Sequence, residues 1–543
     1  MLNGLMMDWP LTLTPLLDRA RRIYGRQRVT TRTGDGVRRA TLEACVDRMG
    51  RLASGLTRLG VRRGERVATL GWNSQAHFES YLAVPCMGAV LHTVNFRLFA
   101  DQLVHVMNHA EDRVAIVDAS VFPLFEQVRD RLTSVREVVV HDDLGDGVPA
   151  GCLDFEELVA GGEGGFDWPA LDERSAAIMC YTSGTTGHPK GCVYTHRALM
   201  LHTLGMGCSG LGLSDRDVAL VIVPMFHANA WGMPFAACMF GVHQVYPGRF
   251  MQPADLAALL ESERATYVAG VPTIVGGILM ALRQQPRDLS ALRLVTVGGS
   301  AMSSALLDGW EAAGSSVVQG WGMTELSPVG TLAVVKDETL QRSPEEQRQA
   351  RLSQGIPLPC VELRIVDDAG ADLPWDGEAA GGLQVRGPWV ISAYYNDPRN
   401  DESFQDGWFR TGDVAVITPE GQIRLVDRAK DVIKSGGEWV SSVDLENAIM
   451  GHPEVAEATV VGIAHPKWME RPLACVVPRR PGLTREEVTG FLKGRIADWW
   501  IPDDVIFVQE IPKTSVGKFD KKVLRERFKD HAWPAQEPST RSA

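Results

Sequence analysis

The chain has 543 residues, 45% hydrophobic and 22% charged, enough to bury a sizeable core and to divide into two or more domains. Its 67 acidic and 55 basic residues give a formal charge of −12, which argues against a general nucleic-acid binder, because phosphate neutralisation needs clustered Lys and Arg and no long basic block occurs. Nine scattered cysteines, never spaced C-x-x-C, predict reduced thiols and a cytoplasmic protein rather than a disulfide framework.

The opening MLNGLMMDWPLTLTPLLDRARR has no basic segment followed by an uninterrupted apolar one, so no secretion signal is expected. Its LLDRARRIYG portion predicts a helix that could join two copies in a homodimer. Strand-like runs follow at ERVATLGW, RVAIVDA, REVVVHD and DVALVIVPMF, alternating with helical patterns such as FESYLAVPCMGAV and PADLAALLESERA. That alternation predicts an α/β fold whose layers contain largely parallel, doubly buried strands. From about Gly355 shorter units (VELRIVDDAG, GGLQVRGPWV, GQIRLVD) predict an antiparallel, barrel-like lobe. After VDRAKD comes an α+β remainder, so we divide the chain into a large domain, 1–426, and a small mobile domain, 427–543. The longest apolar patch, AWGMPFAACMFGV, is too short to span a membrane, and the final PSTRSA is not a peroxisomal tripeptide.

Chemistry concentrates in YTSGTTGHPKG, residues 181–191. Gly184, Gly187 and Gly191 allow tight turns and leave amides open to a polyphosphate. Thr182, Ser183, Thr185 and Thr186 add hydroxyls, and Lys190 adds a point charge that can follow a moving phosphate. The spacing is not that of a Walker loop, since Gly191 follows the lysine. Composition alone leaves an ordinary Gly/Thr-rich turn open.

The same string, followed in order by GWGMTELSP (320–328), GWFRTGD (407–413), DRAKDVIKSGGEWVSSVDLE (427–446) and PKTSVGK (512–518), resembles the adenylate-forming superfamily over roughly residues 30–530. The resemblance implies ATP, Mg²⁺ and CoA as ligands. Trp321, flanked by Gly320, Gly322 and Met323, offers a π-face for adenine where relatives more often carry Tyr or Phe. Thr324 would bind an AMP phosphate oxygen, and Glu325 would hold Mg²⁺. Asp413 would take both ribose hydroxyls, with Arg428 as a second contact. Lys518 would meet carboxylate and α-phosphate during adenylation. The loop Lys434, Gly436, Gly437, Glu438, Trp439 would line the pantetheine passage, with the small domain turning about Lys430 between the two half-reactions.

The acid is harder to read. His227 and Trp231 in MFHANAWGMPF resemble the segment bounding the acyl tunnel of medium- and long-chain fatty acyl-CoA synthetases, with Trp231 as a gate. GGSAMS (298–303), with Gly299, Ser300 and Ala301 on the nucleotide side, resembles the loop where acyl carbon and adenine meet, and Val297 and Gly298 with Trp231 would line the acyl pocket. No Lys or Arg in these stretches could greet a second carboxylate, so an uncharged aliphatic acid is expected. Together with ADWWIPDD, these strings look most like the bacterial medium-chain subgroup that includes methylthiopropionate ligases, although Phe96 stands where proline is frequent and His188 occupies a variable position. The expected reaction is ATP-dependent acid–CoA ligation. A carrier-protein thiol as acceptor is the alternative. Dispersed histidines without H-E-x-x-H, and the absence of a G-x-S-x-G elbow, disfavour a zinc site and a serine nucleophile.

Overall fold

The computed structural model describes residues 2–182, 189–435, 438–513 and 519–534. Four sheets organise these residues. One has seven strands in the spatial order 153–154, 137–141, 112–118, 66–70, 90–93, 176–181 and 191–195, parallel except for the last. A second has nine, with a parallel centre and antiparallel strands at both ends. The strand-like runs at 66–70, 113–118 and 137–141 lie in the first sheet and are almost wholly buried, as their β-branched composition requires.

Between the large layers runs the helix Gln75–Cys86, buried on every side. Ser74 caps it by accepting from the His77 amide, and its one buried carboxylate, Glu79, pairs with Arg48 at 2.7 Å. The helical pattern at 78–90 therefore ends early: Gly88 takes a positive φ and the strand Val90–Thr93 begins. The run DVALVIVPMF is paired only over Val218–Val221. Asn73 takes over beyond it, donating to the carbonyls of Val221 and Val223 at 2.7 Å each and accepting from the Met225 amide. That side chain satisfies the backbone groups a sheet would have used, and so lets the chain leave the sheet at the site.

The helix Thr14–Tyr24 buries Leu16, Leu17 and Ala20 within the protein, packing on the helices Leu42–Arg58 and Met233–Phe240. Residues 362–428 form a five-stranded antiparallel sheet, the lobe expected after Gly355. Residues 433–507 build a separate five-stranded sheet covered by the helices Ser442–Met450 and Lys521–Phe528, with its own hydrophobic cores. No helix among the described residues is long and apolar enough to cross a membrane.

Candidate active site

The strand Ala176–Tyr181 and its antiparallel partner Gly191–Thr195 hold the two ends of the glycine-rich loop together. The Thr182 amide donates to the Lys190 carbonyl at 2.9 Å. Ser183, Gly184, Thr185, Thr186, Gly187 and His188 lie outside the described residues. Lys190 is placed by two groups that motif reading missed. Its Nζ lies 3.2 Å from Asp397 Oδ2 and 4.4 Å from the centre of the Tyr394 ring. Tyr394 in turn donates its hydroxyl to Glu325 Oε1 at 2.7 Å. Asp397, Lys190, Tyr394 and Glu325 thus form one connected line. The signal for the missing pair was YYND, a polar turn shortly before GWFRTGD, which carries no chemistry of its own until the fold sets it against Lys190.

GWGMTELSP folds back on itself. Its strand Ser316–Gly322 passes through the single turn Thr324–Leu326 into the antiparallel strand Val329–Leu332. Gly322 is required here, because a Cβ would lie 2.1 Å from the Pro328 carbonyl oxygen. The Thr324 carbonyl accepts from the Tyr194 hydroxyl at 2.6 Å, and the Glu325 carbonyl accepts from the Ile391 amide. Burial pushes the Glu325 carboxyl above its ordinary range, against the Tyr394 hydroxyl that favours the charged form. Burial would also raise the Asp397 carboxyl, but the Arg399 amide and Lys190 outweigh it and hold the group below its ordinary value.

Trp321 is only 6% exposed and packs against Gly330. Its indole N–H donates to Asp413 Oδ2 at 3.0 Å, while Arg428 Nε pairs with Asp413 Oδ1 at 2.7 Å. Gly320, Trp321, Gly322, Asp413 and Arg428 are therefore brought together from two sheets. Met323 continues the segment, its amide donating to Pro328.

On the acyl side, His227 leads into a run that turns left-handed: Ala228, Asn229, Ala230 and Trp231 all have φ between +43° and +58°. The run lays Trp231 against Gly298, where a Cβ would meet the ring at 2.9 Å and the Gly320 carbonyl oxygen at 3.2 Å. Val297 ends its strand fully buried, Gly299 takes φ +83°, and Ser300 and Ala301 lead outward. Half-buried His227 borders a cavity with Phe226, His92, Tyr181, Thr182 and Pro189, so both ends of the glycine-rich loop face it.

The remaining expected residues sit on the small-domain side. Lys430 occupies an exposed turn. Lys434 is exposed, with its amide donating to Glu470 at 3.0 Å and its backbone paired with Trp439. The backbone of Glu438 and Trp439 continues the strand Glu438–Val440. Gly436, Gly437 and Lys518 lie outside the described residues. No cluster of three or more His, Cys, Asp or Glu that could cage a metal occurs among the described residues.

The AMP-binding enzyme family matches residues 18–395, and the AMP-binding enzyme C-terminal domain matches 444–518. A long-chain-fatty-acid–CoA ligase of Thermus thermophilus is 47% identical over 531 residues, covering 97% of each chain. A 3-methylmercaptopropionyl-CoA ligase of Ruegeria pomeroyi is 43% identical (97% of this chain, 99% of that one), and a medium-chain-fatty-acid–CoA ligase of Ectopseudomonas oleovorans is 41% identical (97% and 98%). Among solved structures, the anthranilate CoA ligase AuaEII in complex with anthranoyl-AMP superposes with a TM-score of 0.86 at 26% identity (96% of this chain, 98% of that one). ATP-bound MatB from Rhodopseudomonas palustris gives 0.82 at 26% identity (96% and 99%).

Proposed function

The chain belongs to the AMP-binding enzyme family and is an AMP-forming acyl-CoA synthetase, and from that premise we propose that its acid is a medium-chain fatty acid, with 3-methylthiopropionate as the short alternative. ATP and CoA are its substrates. In the first half-reaction a carboxylate oxygen attacks the α-phosphorus, the bond to the β-phosphate oxygen breaks, and pyrophosphate leaves. In the second, the CoA sulfur attacks the acyl carbon, AMP leaves, and the thiol proton passes to solvent.

The observation that carries the site assignment is the connected line Asp397–Lys190–Tyr394–Glu325 beside the ends of the glycine-rich loop. Asp397 and Tyr394 aim the Lys190 ammonium, which meets the phosphates without reorganising. Thr324 takes an AMP phosphate oxygen. Asp413, steadied by Trp321 and Arg428, takes the ribose, and the Trp321 ring flanks the adenine. A lone carboxylate suits Mg²⁺, which keeps much of its shell as water and substrate phosphate. Buried Glu325, its charged form disfavoured by its surroundings, fits such an ion, and when bound the ion neutralises phosphate charge.

Trp231 over Gly298, with no Lys or Arg in 225–235 or 297–303, supports an uncharged aliphatic chain. CoA-dependent AMP release should be measured over straight-chain acids from acetate to palmitate, with 3-methylthiopropionate and benzoate. A maximum at medium length supports the assignment. A maximum at 3-methylthiopropionate selects the alternative, and AMP release with no response to CoA would point to a carrier-protein thiol. The small domain, 427–543, presents Lys518 for adenylation and the 434–439 loop for thioester formation. Lys518→Ala should then abolish acyl-AMP formation while sparing CoA attack on supplied acyl-AMP, and equal loss of both would end that division of labour. A cytoplasmic homodimer associating through the N-terminal LLDRARRIYG helix, whose Ile23 is exposed, completes the proposal; a monomeric mass in light scattering would remove the dimer.

A further inference from the structure

A buried polar chain straddles the Lys430 turn and plays no part in the chemistry above. Asp427, on the strand Ile423–Arg428, accepts at Oδ2 from the Ser442 amide at 2.9 Å and the Ser442 hydroxyl at 2.5 Å. The Ser442 oxygen accepts in turn from Lys521 Nζ, and Lys521 pairs with Glu446 Oε1 at 2.8 Å. That same Glu446 oxygen accepts from the Thr459 hydroxyl and the Val460 amide, at 2.8 Å each. Asp427, Ser442 and Glu446 are at most 9% exposed, and the Lys521 side chain is 13% exposed.

The chain joins two bodies. Asp427, the first residue of the 427–543 division, precedes the Lys430 hinge and pairs within the 362–428 sheet, so a turn about Lys430 leaves it with the large body, whereas Ser442, Glu446 and Lys521 follow the hinge and move with the small one. Ser441 adds a second tie, its hydroxyl donating to the Val426 carbonyl at 2.6 Å. Lys521 is also three residues from Lys518 in sequence. The backbone on either side of residues 514–518 is clasped by the Lys513–Phe519 bridge and by the Asp520 amide donating to the Pro512 carbonyl at 2.8 Å, while Lys513 is tied to Glu457 at 2.6 Å. Whatever fixes Lys521 therefore also holds the backbone at Pro512, Lys513, Phe519 and Asp520, the described residues that flank Lys518 in sequence. A turn of the small domain about Lys430 carries Ser442, Glu446 and Lys521 together and leaves Asp427 on its strand. The buried Asp427 carboxylate then loses its Ser442 donors, which is costly for a charge out of water.

We propose that Asp427, Ser442, Lys521 and Glu446 form an interdomain latch that holds one of the two working arrangements and opens in the other, making Ser442 and Lys521 positioning residues for the Lys518 loop. The inference rests on the reading that the small domain turns about Lys430 between half-reactions. Ser442→Ala removes the shared hydroxyl, Lys521→Met removes the ammonium, and Ser442→Thr keeps the hydroxyl as a rescue. The two half-reactions are measured separately, as single-turnover pyrophosphate release without CoA and as CoA-dependent consumption of supplied acyl-AMP, alongside tryptic cleavage after Lys430. The latch predicts that Ser442→Ala and Lys521→Met change the ratio of the two rates in the same direction, by about tenfold or more, as loss of a hydrogen bond to a charge implies. Cleavage after Lys430 should accelerate, and Ser442→Thr should retain the wild-type ratio. An unchanged ratio, whether both rates hold or both fall in proportion, overturns the latch. Asp427→Asn, which keeps the side chain's size, gives the same reading if the other variants do not fold. Lys518→Ala run in parallel keeps the two failures apart: equal loss of both half-reactions there sinks the turning-domain reading itself, whereas separation there with no change of ratio in the latch variants sinks the latch alone.

Discussion

At the scale of single residues, the site depends on side chains that steady other side chains. Trp321 supplies an aromatic ring, and its indole N–H holds Asp413 from one side while Arg428 holds it from the other. Trp321→Phe keeps the ring and removes the donor. A hydrogen bond to a charged group contributes about 1.5–3 kcal/mol, so the KM for ATP should rise roughly tenfold with kcat little changed. An unchanged KM would mean that the indole does nothing for the carboxylate. Glu325 shows the opposite balance, function against stability. Its folded carboxyl is raised by burial, so the folded state holds the proton more tightly than the unfolded chain. Stability then falls as pH rises from the unfolded value through the folded one, and at neutral pH the charged group weakens the empty protein. Glu325→Gln should therefore raise Tm at pH 7 by about 1–2 °C and give less gain near pH 4, while lowering adenylation about 10²-fold or more. A melting scan at both pH values and an initial-rate assay check the pair of effects.

At the scale of elements, periodicity and β-branched composition were enough to place the layers, because a doubly buried strand must be apolar on both faces and an amphipathic helix must repeat near 3.6. Where a side chain replaces a backbone partner, the pattern misleads. Asn73 ends the pairing two residues before Pro224 would, and nothing in the β-branched stretch Val218–Val223 announces it. The motif strings likewise pointed to Lys190 and Glu325 but not to Tyr394 and Asp397, whose meaning comes only from standing between them. The left-handed run 228–231 was equally invisible, since Ala and Trp have no preference for it. Each non-glycine residue in that conformation costs about 1–2 kcal/mol, so the surrounding packing must hold it in place. What the run achieves is the seating of Trp231 on Gly298. Gly298→Ala would put a methyl 2.9 Å from that ring and 3.2 Å from a backbone oxygen, so the ring must yield into the space proposed for the acyl chain. We expect kcat/KM for medium-chain acids to fall about 10- to 100-fold while acids of two to four carbons lose less, which moves the optimum toward shorter chains. A uniform fall at every chain length would place Trp231 outside the tunnel.

At the scale of the whole molecule, the layers are joined by histidines that must stay neutral. His77 lies on the helix between the two large sheets, its Nδ1 bonded to the Trp72 carbonyl, and burial lowers its pKa to about 3. His196 Nδ1 accepts from the Leu13 amide, and His202 Nε2 accepts from the Val329 amide, linking the helix His196–Gly207 to the N-terminal helix and to the strand after GWGMTELSP. Burial lowers these two to about 4 and about 3. In the unfolded chain each binds a proton near the ordinary value of about 6.5. The folded state refuses it until far lower pH, so the stability they permit is whole above about pH 6.5 and is lost as pH falls toward 4. With His243, which burial likewise lowers to about 4, four such groups give a slope of about 5 kcal/mol per pH unit once the unfolded histidines are fully charged, steep against the 5–15 kcal/mol that typically separates folded from unfolded. The depressed carboxylates, such as Asp217 and Glu420, add their own loss only near and below their unfolded values of about 4. Tm should therefore begin to fall between pH 6.5 and 5, before carboxylate protonation can explain it, and His202→Gln should reduce that slope by about a quarter. A Tm constant from pH 7 to 5 would show that these rings accept protons in the folded state, and with it that the seams between the layers admit water.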